Sequence, residues 1–438
     1  MKNSKKTICI GMAGFGTVGQ QVWKLLKEHR QLLSARLGAE LKIVKVLVRS
    51  PHKKRLMALP KELLTQDSAD LFSPEIDLVL ELTGQVALAK KLAKSAFALG
   101  KAFVTANKAL MAEHGLELSE QSLKKGVDLC FEASVAGGIP ILRSLREGLA
   151  ANRIQSLYGI LNGTCNYILT EMEEKGADYQ QVLEEAQRLG YAEANPRLDV
   201  GGWDAAHKLA LLSSLAFGAW VDYRDFLVQG IQSISALDLE MANRFDYSIK
   251  LLGIAKDLGG KLQMRVQPTM IPKTSLLASV RGVLNAVAVE GDFVGPALFY
   301  GQGAGGAPTA SAVVGDLVAV GRRLVANRSA IVPPFGLKNK LNQAKLTDLG
   351  ELRSPYYCRF QAIDRAGVLA KITQILGKHS ISLASVYQPL RHEGKKVPII
   401  ILTHEAKEKD IQKAHTLINR LREIPGPNTL IRVEEECP

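Results

Sequence analysis

The sequence predicts an α/β protein in three parts: a parallel-sheet domain, an α+β domain and a C-terminal ferredoxin-like βαββαβ domain. Short β-branched runs alternate with helical patterns over the first 150 residues, and this pattern changes near Asn152. The last 80 or so residues form a self-contained set of elements. The length of 438 residues is consistent with about three domains of about 150 residues each.

Strand–helix alternation in residues 1–150 is typical of βαβ units and predicts a parallel sheet. A later helix near residues 311–326 is expected to complete this domain. The predicted strands are Thr7–Met12, Leu41–Val48, Ile76–Leu82, Ala102–Thr105 and Val127–Phe131, and the predicted helices are Val18–Arg36, Val86–Leu99 and Leu116–Lys124.

Residues 151–310 predict an α+β domain with a mostly antiparallel sheet. Thr164 is a plausible N-cap of a helix that ends at Gly176, and Asp178 is one for the next helix. The predicted strands are Ser156–Leu161, Leu262–Pro268, Leu276–Arg281 and Ala286–Val289, and the later helices are Tyr179–Leu189 and Trp203–Phe217.

Residues 327–354 contain Pro333, Pro334 and several polar residues, which indicates a linker. Residues 355–438 then follow the βαββαβ order of a ferredoxin-like domain. Its predicted strands are Tyr356–Ile363, Ile381–Pro389, Pro398–Thr403 and Thr429–Val433, and its helices are Val368–His379 and Lys407–Arg422.

The composition argues against nucleic-acid and membrane partners. The 56 lysines and arginines exceed the 43 acids, and the net charge of +13 favours anionic small ligands. No basic stripe alternates with aromatic residues, so nucleic acid is not expected. The longest apolar run, Leu209–Val221, is shorter than the roughly 18 residues of a membrane span and predicts a buried helix. Five scattered cysteines fit a reducing cytoplasm, where we expect the protein.

A glycine-rich turn follows the first predicted strand and opens the first helix, which is the context that dinucleotide binding requires. Gly14 permits a tight turn, Gly16 allows a pyrophosphate to approach the backbone, and Gly19 lets helix and strand pack closely. The alternative is a purely structural turn. The motif reads Gly14-Phe15-Gly16-Thr17-Val18-Gly19.

The end of the second predicted strand indicates which dinucleotide binds. NAD-binding folds usually place an acid there for the ribose hydroxyls, but this chain has Arg49 followed by further cations. Such a cluster suits the 2′-phosphate of NADP, whereas the alternative is a solvated basic loop. The further cations are His52, Lys53, Lys54 and Arg55.

Ligands of open parallel sheets bind beyond the carboxyl ends of the strands. Lys108 follows the strand Ala102–Thr105, and the Thr83-Gly84 turn follows the strand before it. Lys108 is therefore either a cofactor or substrate contact or an exposed loop lysine.

Lys208 lies four residues after Asp204, at the start of a helix that is apolar almost all round. A lysine at the mouth of a buried helix, with Glu193 and Asp199 nearby in sequence, can exchange protons near neutral pH. The alternative is a surface ion pair of little energy. His207 is better explained as a structural histidine.

Cys165 and Glu132 are two further candidates for a chemical role. Cys165 is a possible nucleophile, but no histidine lies near it in sequence, and a small buried thiol explains it better. Glu132 precedes the Gly137-Gly138 turn, where a carboxylate and turn carbonyls could bind a hard cation.

These motifs resemble those of homoserine dehydrogenases that carry a C-terminal ACT regulatory domain, and the resemblance covers nearly the whole chain. The stretch Ala186–Lys208 fits the pattern A-x3-G-Y-A-x2-N-P-x2-D-V-x-G-x-D-x3-K without a gap. Further matching blocks are Gly14–Gly19, Thr105–Lys108, Glu132–Pro140, Gly159–Thr164 and Gly303–Thr309.

The resemblance implies a Rossmann-type NAD(P)-binding domain over residues 1–150, a substrate-binding and dimerisation domain over 151–310, and an ACT domain over 355–438. It implies NADP(H)-dependent interconversion of L-homoserine and L-aspartate 4-semialdehyde in threonine, methionine and isoleucine biosynthesis, with NAD(H) possible. Lys208 would give a proton to the aldehyde oxygen, and Glu193 and Asp204 would hold the substrate amino group, supported by Asp199. Other substrate residues implied are Tyr191, Gly163 and Thr164; Lys108 would lie between substrate and cofactor, and Gly190 and Gly305 near the nicotinamide.

The same resemblance implies a sodium-type cation held by Glu132 and by the carbonyls of Val135, Gly137 and Ile139. It also implies an amino-acid effector, with threonine the natural inhibitor, and a homodimer or homotetramer. Ala366 stands where ACT domains usually have a proline. Because proline donates no hydrogen bond at that position, we expect the effector site to be retained. The implied effector residues are Asp364, Gly367, Val368 and Leu369.

Two other functions compete with this one. A different NADP-linked semialdehyde dehydrogenase would need a cysteine nucleophile such as Cys165 with a histidine partner. A non-catalytic amino-acid sensor built on the ACT module would bind its ligand and oxidise no homoserine.

Overall fold

A computed structural model describes residues 7–329, 332–388 and 394–438. The described chain divides into two compact units, each assembled from three stretches. The first unit takes residues up to 157, 207–225 and 285–344, and the second takes 158–206, 226–284 and 345–438. The domain limits at residues 150, 310, 327 and 355 stay predictions.

The helices and strands are numbered in chain order. The helices are α1 (Thr17–Glu28), α2 (Arg30–Leu37), α3 (Val86–Ala98), α4 (Lys108–Lys125), α5 (Ile141–Arg143), α6 (Gly163–Lys175), α7 (Tyr179–Arg188), α8 (Arg197–Val200), α9 (Trp203–Phe217), α10 (Ala236–Arg244), α11 (Gly306–Val325), α12 (Val368–Lys378) and α13 (Glu408–Ile418). The strands are β1 (Thr7–Ala13), β2 (Glu40–Leu47), β3 (Leu64–Thr65), β4 (Leu78–Glu81), β5 (Ala102–Thr105), β6 (Leu129–Cys130), β7 (Ile154–Ile160), β8 (Leu227–Val228), β9 (Tyr247–Asp257), β10 (Leu262–Pro272), β11 (Leu284–Gly291), β12 (Gly295–Gln302), β13 (Arg353–Ser354), β14 (Tyr356–Ile363), β15 (Leu383–Tyr387), β16 (Lys396–Thr403), β17 (Ala406–Lys407) and β18 (Thr429–Val433).

The first unit contains the predicted parallel sheet, with strand order β3-β2-β1-β4-β5-β6. The order reverses at β1, which places the start of α1 at the crevice where dinucleotides bind in such sheets. Helix α11 buries Val313 and Leu317 in the same core as Ile10 of β1 and Val22 of α1. Helix α11 therefore packs on this sheet, although 175 residues separate it from β6 in the sequence.

The second unit contains strands in the order β9-β10-β18-β14-β16-β15, with β8 beside β10. The C-terminal order β14-α12-β15-β16-α13-β18 is the predicted βαββαβ arrangement, with the short strand β17 inserted before α13. Its core includes Phe360, Ile372, Ile401 and Ile411, all completely buried. Strand β18 also pairs in parallel with β10, so the two halves of this unit share one sheet.

Several predicted elements were wrong. The stretch Leu276–Arg281 is no strand, because Ser275 Oγ caps a 3-10 helix over Leu276–Ser279 instead. The predicted helix Val18–Arg36 is broken at His29 into α1 and α2, and the one from Leu116 begins already at Lys108. Strands β9 and β12 and helix α10 were not predicted.

Pro389 at the end of one predicted strand and residues 330–331 of the predicted linker lie outside the described residues, as do residues 1–6 of the predicted first domain. None of the helices in the described ranges combines the length and the apolar character that crossing a bilayer requires.

Candidate active site

The glycine-rich turn joins β1 to α1 in the first unit. Gly14 has a positive φ of 98°, and its N–H donates to the carbonyl of Leu47 at 2.9 Å. A Cβ on Gly14 would lie 2.7 Å from the oxygen of Leu82, and one on Gly19 would lie 2.5 Å from the oxygen of Gly14. A Cβ on Gly16 would meet nothing within 4 Å, so its backbone faces open space where a phosphate can approach.

A cavity of about 270 Å³ opens beside this turn, entirely within the first unit. It combines Val18 from the first turn of α1, two lysines, and backbone from the segments that follow β4, β5, β6 and β12. The lining residues are Val18, Leu82, Gly84, Ala106, Asn107, Lys108, Ala133, Ser134, Ala136, Gly137, Lys208, Gly303, Ala304 and Thr309.

Lys208 lies on the wall of this cavity and is only 8% exposed. Helix α9 carries it there, with Leu209, Leu211 and Leu212 almost completely buried in the following turn. The position excludes a solvated surface ion pair as the explanation of Lys208. Lys208 and Val18 of the glycine-rich turn also line one cavity, as expected for a proton donor that acts beside a bound dinucleotide.

Lys108 lines the same cavity but is not a loop lysine. It is the first residue of α4, and Asn107 caps that helix by accepting from the N–H of Leu110 at 3.0 Å. The helix therefore fixes the backbone of Lys108 directly after β5. Two lysines thus line one small cavity next to the glycine-rich turn.

Glu81, which sequence reasoning missed, is buried next in sequence to the cavity-lining residue Leu82. It is 0% exposed at the end of β4 and accepts from Thr105 Oγ at 2.6 Å. Its other oxygen accepts from the N–H of Thr83 at 2.6 Å and from its hydroxyl at 2.7 Å. Glu81 thereby holds the Thr83-Gly84 turn against β5. An acid inside a buried apolar strand was the available signal.

In the second unit, Asn162 connects two of the predicted substrate carboxylates. Its Nδ2 donates to Asp199 and to Asp204, each at 2.8 Å. Its Oδ1 accepts from the N–H of Cys165 at 2.8 Å, which makes Asn162 the N-cap of α6. The prediction that Thr164 caps this helix was wrong, because its hydroxyl donates instead to the carbonyl of Tyr191 at 2.6 Å.

The predicted residues differ in exposure. Asp204 is 3% exposed at the first turn of α9, whereas Glu193 lies on an exposed loop after α7. Tyr191 is 45% exposed, and its ring packs at 5.0 Å on the ring of Tyr167. Cys165 is completely buried and its Sγ donates to the carbonyl of Asp199, which argues against a catalytic nucleophile.

Glu132 directly precedes the cavity-lining residues Ala133 and Ser134 and belongs to a buried network. Its two oxygens accept from the N–H groups of Leu142 and Arg143, each at 2.9 Å, and its own N–H donates to Asp316 at 2.9 Å. Burial, together with the Asp316 carboxylate, raises the pKa of Glu132 to about 7. Asp316, which sequence reasoning also missed, accepts a hydrogen bond from the guanidinium of Arg143 at 3.0 Å.

The surroundings of Glu132 are compatible with a hard cation. Two buried carboxyl groups lie close together, and the following backbone turns through positive φ at Ala136 and Gly137. In the described part of the chain, no group of three or more His, Cys, Asp or Glu side chains is arranged to hold a metal. Backbone carbonyls would therefore have to supply most of the ligands.

The basic loop after β2 exposes most of its cations. Arg49, Lys53 and Lys54 are exposed, and the carbonyl of Arg49 accepts from Gln66 Nε2 at 2.9 Å. Arg55 differs, because its guanidinium donates to three carbonyls of its own loop and so stabilises the loop itself.

The predicted effector residues lie at the start of α12 in the second unit. Gly367 is the N-cap with φ 88°, and no acid occupies the first turn. Asp364 exchanges backbone hydrogen bonds with the neighbouring hairpin, donating to Lys395 at 2.8 Å and accepting from Gly394 at 3.0 Å. Gly190 and Gly305, predicted near the nicotinamide, both have positive φ.

Comparisons with known proteins agree with these features. The sequence matches the family models "Homoserine dehydrogenase, NAD binding domain" over residues 14–132, "Homoserine dehydrogenase" over 140–318 and "ACT domain" over 356–423. Homoserine dehydrogenases of Neisseria gonorrhoeae and Pseudomonas aeruginosa are each 42% identical, covering 98% of this chain and 99% of theirs.

Solved structures are also similar. A homoserine dehydrogenase from Thiobacillus denitrificans has a TM-score of 0.91 at 44% identity, covering 99% of both chains. A hyperthermophilic archaeal homoserine dehydrogenase in complex with NADPH has a TM-score of 0.60 at 25% identity, covering 72% of this chain and 97% of that one.

Proposed function

We propose a mechanism for this chain from the premise that it belongs to the homoserine dehydrogenase family and is an oxidoreductase with that activity. It interconverts L-homoserine and L-aspartate 4-semialdehyde, with Lys208 as the proton donor and acceptor. The observation that carries this proposal is the burial of Lys208 in the same cavity as Lys108 and the first turn of α1.

Lys208 meets the chemical need of the reduction. The nicotinamide cofactor supplies a hydride when it is bound, and the aldehyde oxygen then gains negative charge. A protonated amine stabilises this charge and transfers a proton to the oxygen. In the reverse direction the neutral amine accepts the hydroxyl proton of homoserine. Lys108, on the same cavity wall, adds positive charge between substrate and cofactor.

Carboxylates bind the amino group of homoserine in this proposal. Asp204 and Glu193 accept from the ammonium, and Asp199 supports Asp204 through the amide of Asn162 that both carboxylates share. Asp204 and Lys208 are one turn apart on α9, so a single helix sets the spacing between amino-group recognition and proton transfer. Tyr191, Gly163 and Thr164 complete the proposed substrate set.

NADP(H) is the proposed cofactor, with NAD(H) accepted less well. Exposed Arg49 lies just beyond β2, where NAD-binding folds usually place an acid, and Lys53 and Lys54 follow on the same loop. The archaeal relative was solved with NADPH, which supports the same choice here. The turn Gly14–Gly19 and residues Gly190 and Gly305 are the proposed backbone contacts.

Three finer assignments belong to the same proposal. Glu132 and the carbonyls of Val135, Gly137 and Ile139 hold a sodium-type cation. The cation offsets the negative charge of the buried carboxylates of Glu132 and Asp316. Threonine binds at Asp364 and Gly367–Leu369 and inhibits the enzyme. The protein acts in the cytoplasm as a homodimer or homotetramer, in threonine, methionine and isoleucine biosynthesis.

An absorbance assay tests the proposal. Purified protein is incubated with L-homoserine and either NADP or NAD, with and without threonine, and formation of the reduced cofactor is followed. We expect homoserine-dependent reduction that is faster with NADP and slower with threonine. Absence of any homoserine-dependent reduction with either cofactor would refute the proposed reaction.

A further inference from the structure

A short segment of the second unit, Gln229–Ile231, lies between the ACT domain and the loop that carries the proposed substrate carboxylates. The N–H of Gln229 donates to the carbonyl of Val266 at 2.8 Å, which continues the pairing of β8 with β10. Two residues later, the N–H of Ile231 donates to the carbonyl of Val200 at 2.9 Å. One segment therefore contacts both the sheet and the last residue of α8.

The contact between this segment and the substrate loop is backbone against backbone. A Cβ built on Gly230 would lie only 2.0 Å from the oxygen of Val200. A Cβ built on Gly202, whose φ is +84°, would lie 3.0 Å from the oxygen of Gln229. With no side chain between the two backbones, a displacement of Gln229 is passed directly to Val200–Gly202.

The substrate loop has little room to absorb such a displacement. Val200–Gly202 lies between Asp199 and Asp204 in sequence, and both carboxylates accept from the single Nδ2 of Asn162. The two hydrogen bonds are each 2.8 Å long, so a shift of one carboxylate against the other lengthens at least one of them.

Arg432 holds the other side of Gln229. It is 3% exposed on strand β18 of the ACT domain, and its Nε donates to Glu408 at 2.6 Å. Its Nη1 donates to the side-chain oxygens of Gln267 at 2.7 Å and of Gln229 at 3.1 Å. The carboxylate fixes the guanidinium, and the guanidinium fixes the amide of Gln229.

We propose that Gln229 is a positioning residue for homoserine binding, held by Arg432 and acting through the Gln229–Ile231 backbone on Asp199 and Asp204. The inference rests on the proposed function, which assigns these carboxylates to the substrate amino group. Gln229 itself contacts no substrate. The same hydrogen bond gives the ACT domain a physical route to the homoserine site.

Three substitutions test this role. Gln229→Leu removes the acceptor, and because the side chain of Gln229 is exposed the fold should tolerate the change. We expect it to raise KM for homoserine about five-fold, leaving KM for NADP and Tm unchanged. Gln229→Glu retains an acceptor for Arg432 and should restore KM to within about two-fold of wild type. Gln232→Leu, on an exposed neighbour in the same loop, is the matched control and should have no effect.

An unchanged KM for homoserine in Gln229→Leu would overturn the inference while leaving the reaction itself intact. An equal rise in Gln232→Leu, or no recovery in Gln229→Glu, would do the same. A wild-type protein that oxidises no homoserine would instead overturn the proposed function, and the inference with it.

Discussion

Burial decides what Lys208 is. The spacing of four residues from Asp204 fits a catalytic lysine and a surface ion pair equally well. The structure decides between them, because the side chain is only 8% exposed and lines a cavity. Asn162 and Glu81 show the opposite case. Their side chains bond to partners that are 24 to 42 residues away in sequence, and no local sequence pattern predicts such pairs.

The cation of Arg49 should select the cofactor. Replacing Arg49 with alanine removes the charge proposed to bind the 2′-phosphate, so KM for NADPH should rise about ten-fold and KM for NADH less than about two-fold. Steady-state kinetics with both cofactors measure this. Lys42→Ala replaces an exposed cation on β2, the strand that precedes Arg49; it is the control and should change neither KM. Equal losses for both cofactors in the Arg49 variant would discard the 2′-phosphate argument.

Elements built from local signals were predicted well. The β1–turn–α1 unit and the C-terminal βαββαβ order follow from hydrophobic period and glycine placement, and both are present. The errors arose where one capping side chain determines which secondary structure the backbone adopts. Ser275 caps a 3-10 helix where an apolar run suggested a strand, and Asn107 starts α4 where the end of a strand suggested a loop.

Helix α13 contains a pH-sensitive group. Burial lowers the pKa of His415 below its usual 6.5, and its Nε2 is buried without a partner among the described residues. His415 therefore binds a proton more readily in the unfolded chain than in the folded one. Its contribution to the free energy of unfolding is retained above pH 6.5 and is lost progressively as the pH falls through that value. Tm measured on both sides of this pH should fall less in His415→Phe than in wild type. Parallel pH dependence of the two proteins would contradict the assignment.

At the scale of the molecule, buried charge joins the C-terminal domain to the rest of the second unit. Arg359 donates to Asp238 across 121 residues of sequence, and Arg265 of β10 donates to Glu434 across 169. Both guanidinium groups are nearly inaccessible. The sequence pattern predicts a self-contained domain, because such pairings connect distant segments and leave no periodic signal.

Removing the C-terminal domain should therefore destabilise what remains. A chain ending at Ser354 loses Glu434 and strand β18, which leaves Arg265 without its carboxylate and β10 without its pairing to β18, and we expect the free energy of unfolding to fall by about 3–5 kcal/mol. Denaturant unfolding of the truncated and full-length proteins measures the difference. Lys371→Ala, which breaks an exposed pair with Glu423, should change stability by less than about 1 kcal/mol. Full-length stability in the truncated chain would show that the domain is only appended.

The most direct test of the whole account is replacement of Lys208 with alanine, followed by turnover and cofactor-binding measurements on the same preparation. We expect homoserine turnover to fall about a thousand-fold, because proton transfer and charge stabilisation are lost together. NADPH affinity, measured by fluorescence titration, should stay within about two-fold, since the glycine turn and Arg49 are untouched. Turnover that remains near the wild-type value would contradict the assignment of Lys208 as the proton donor.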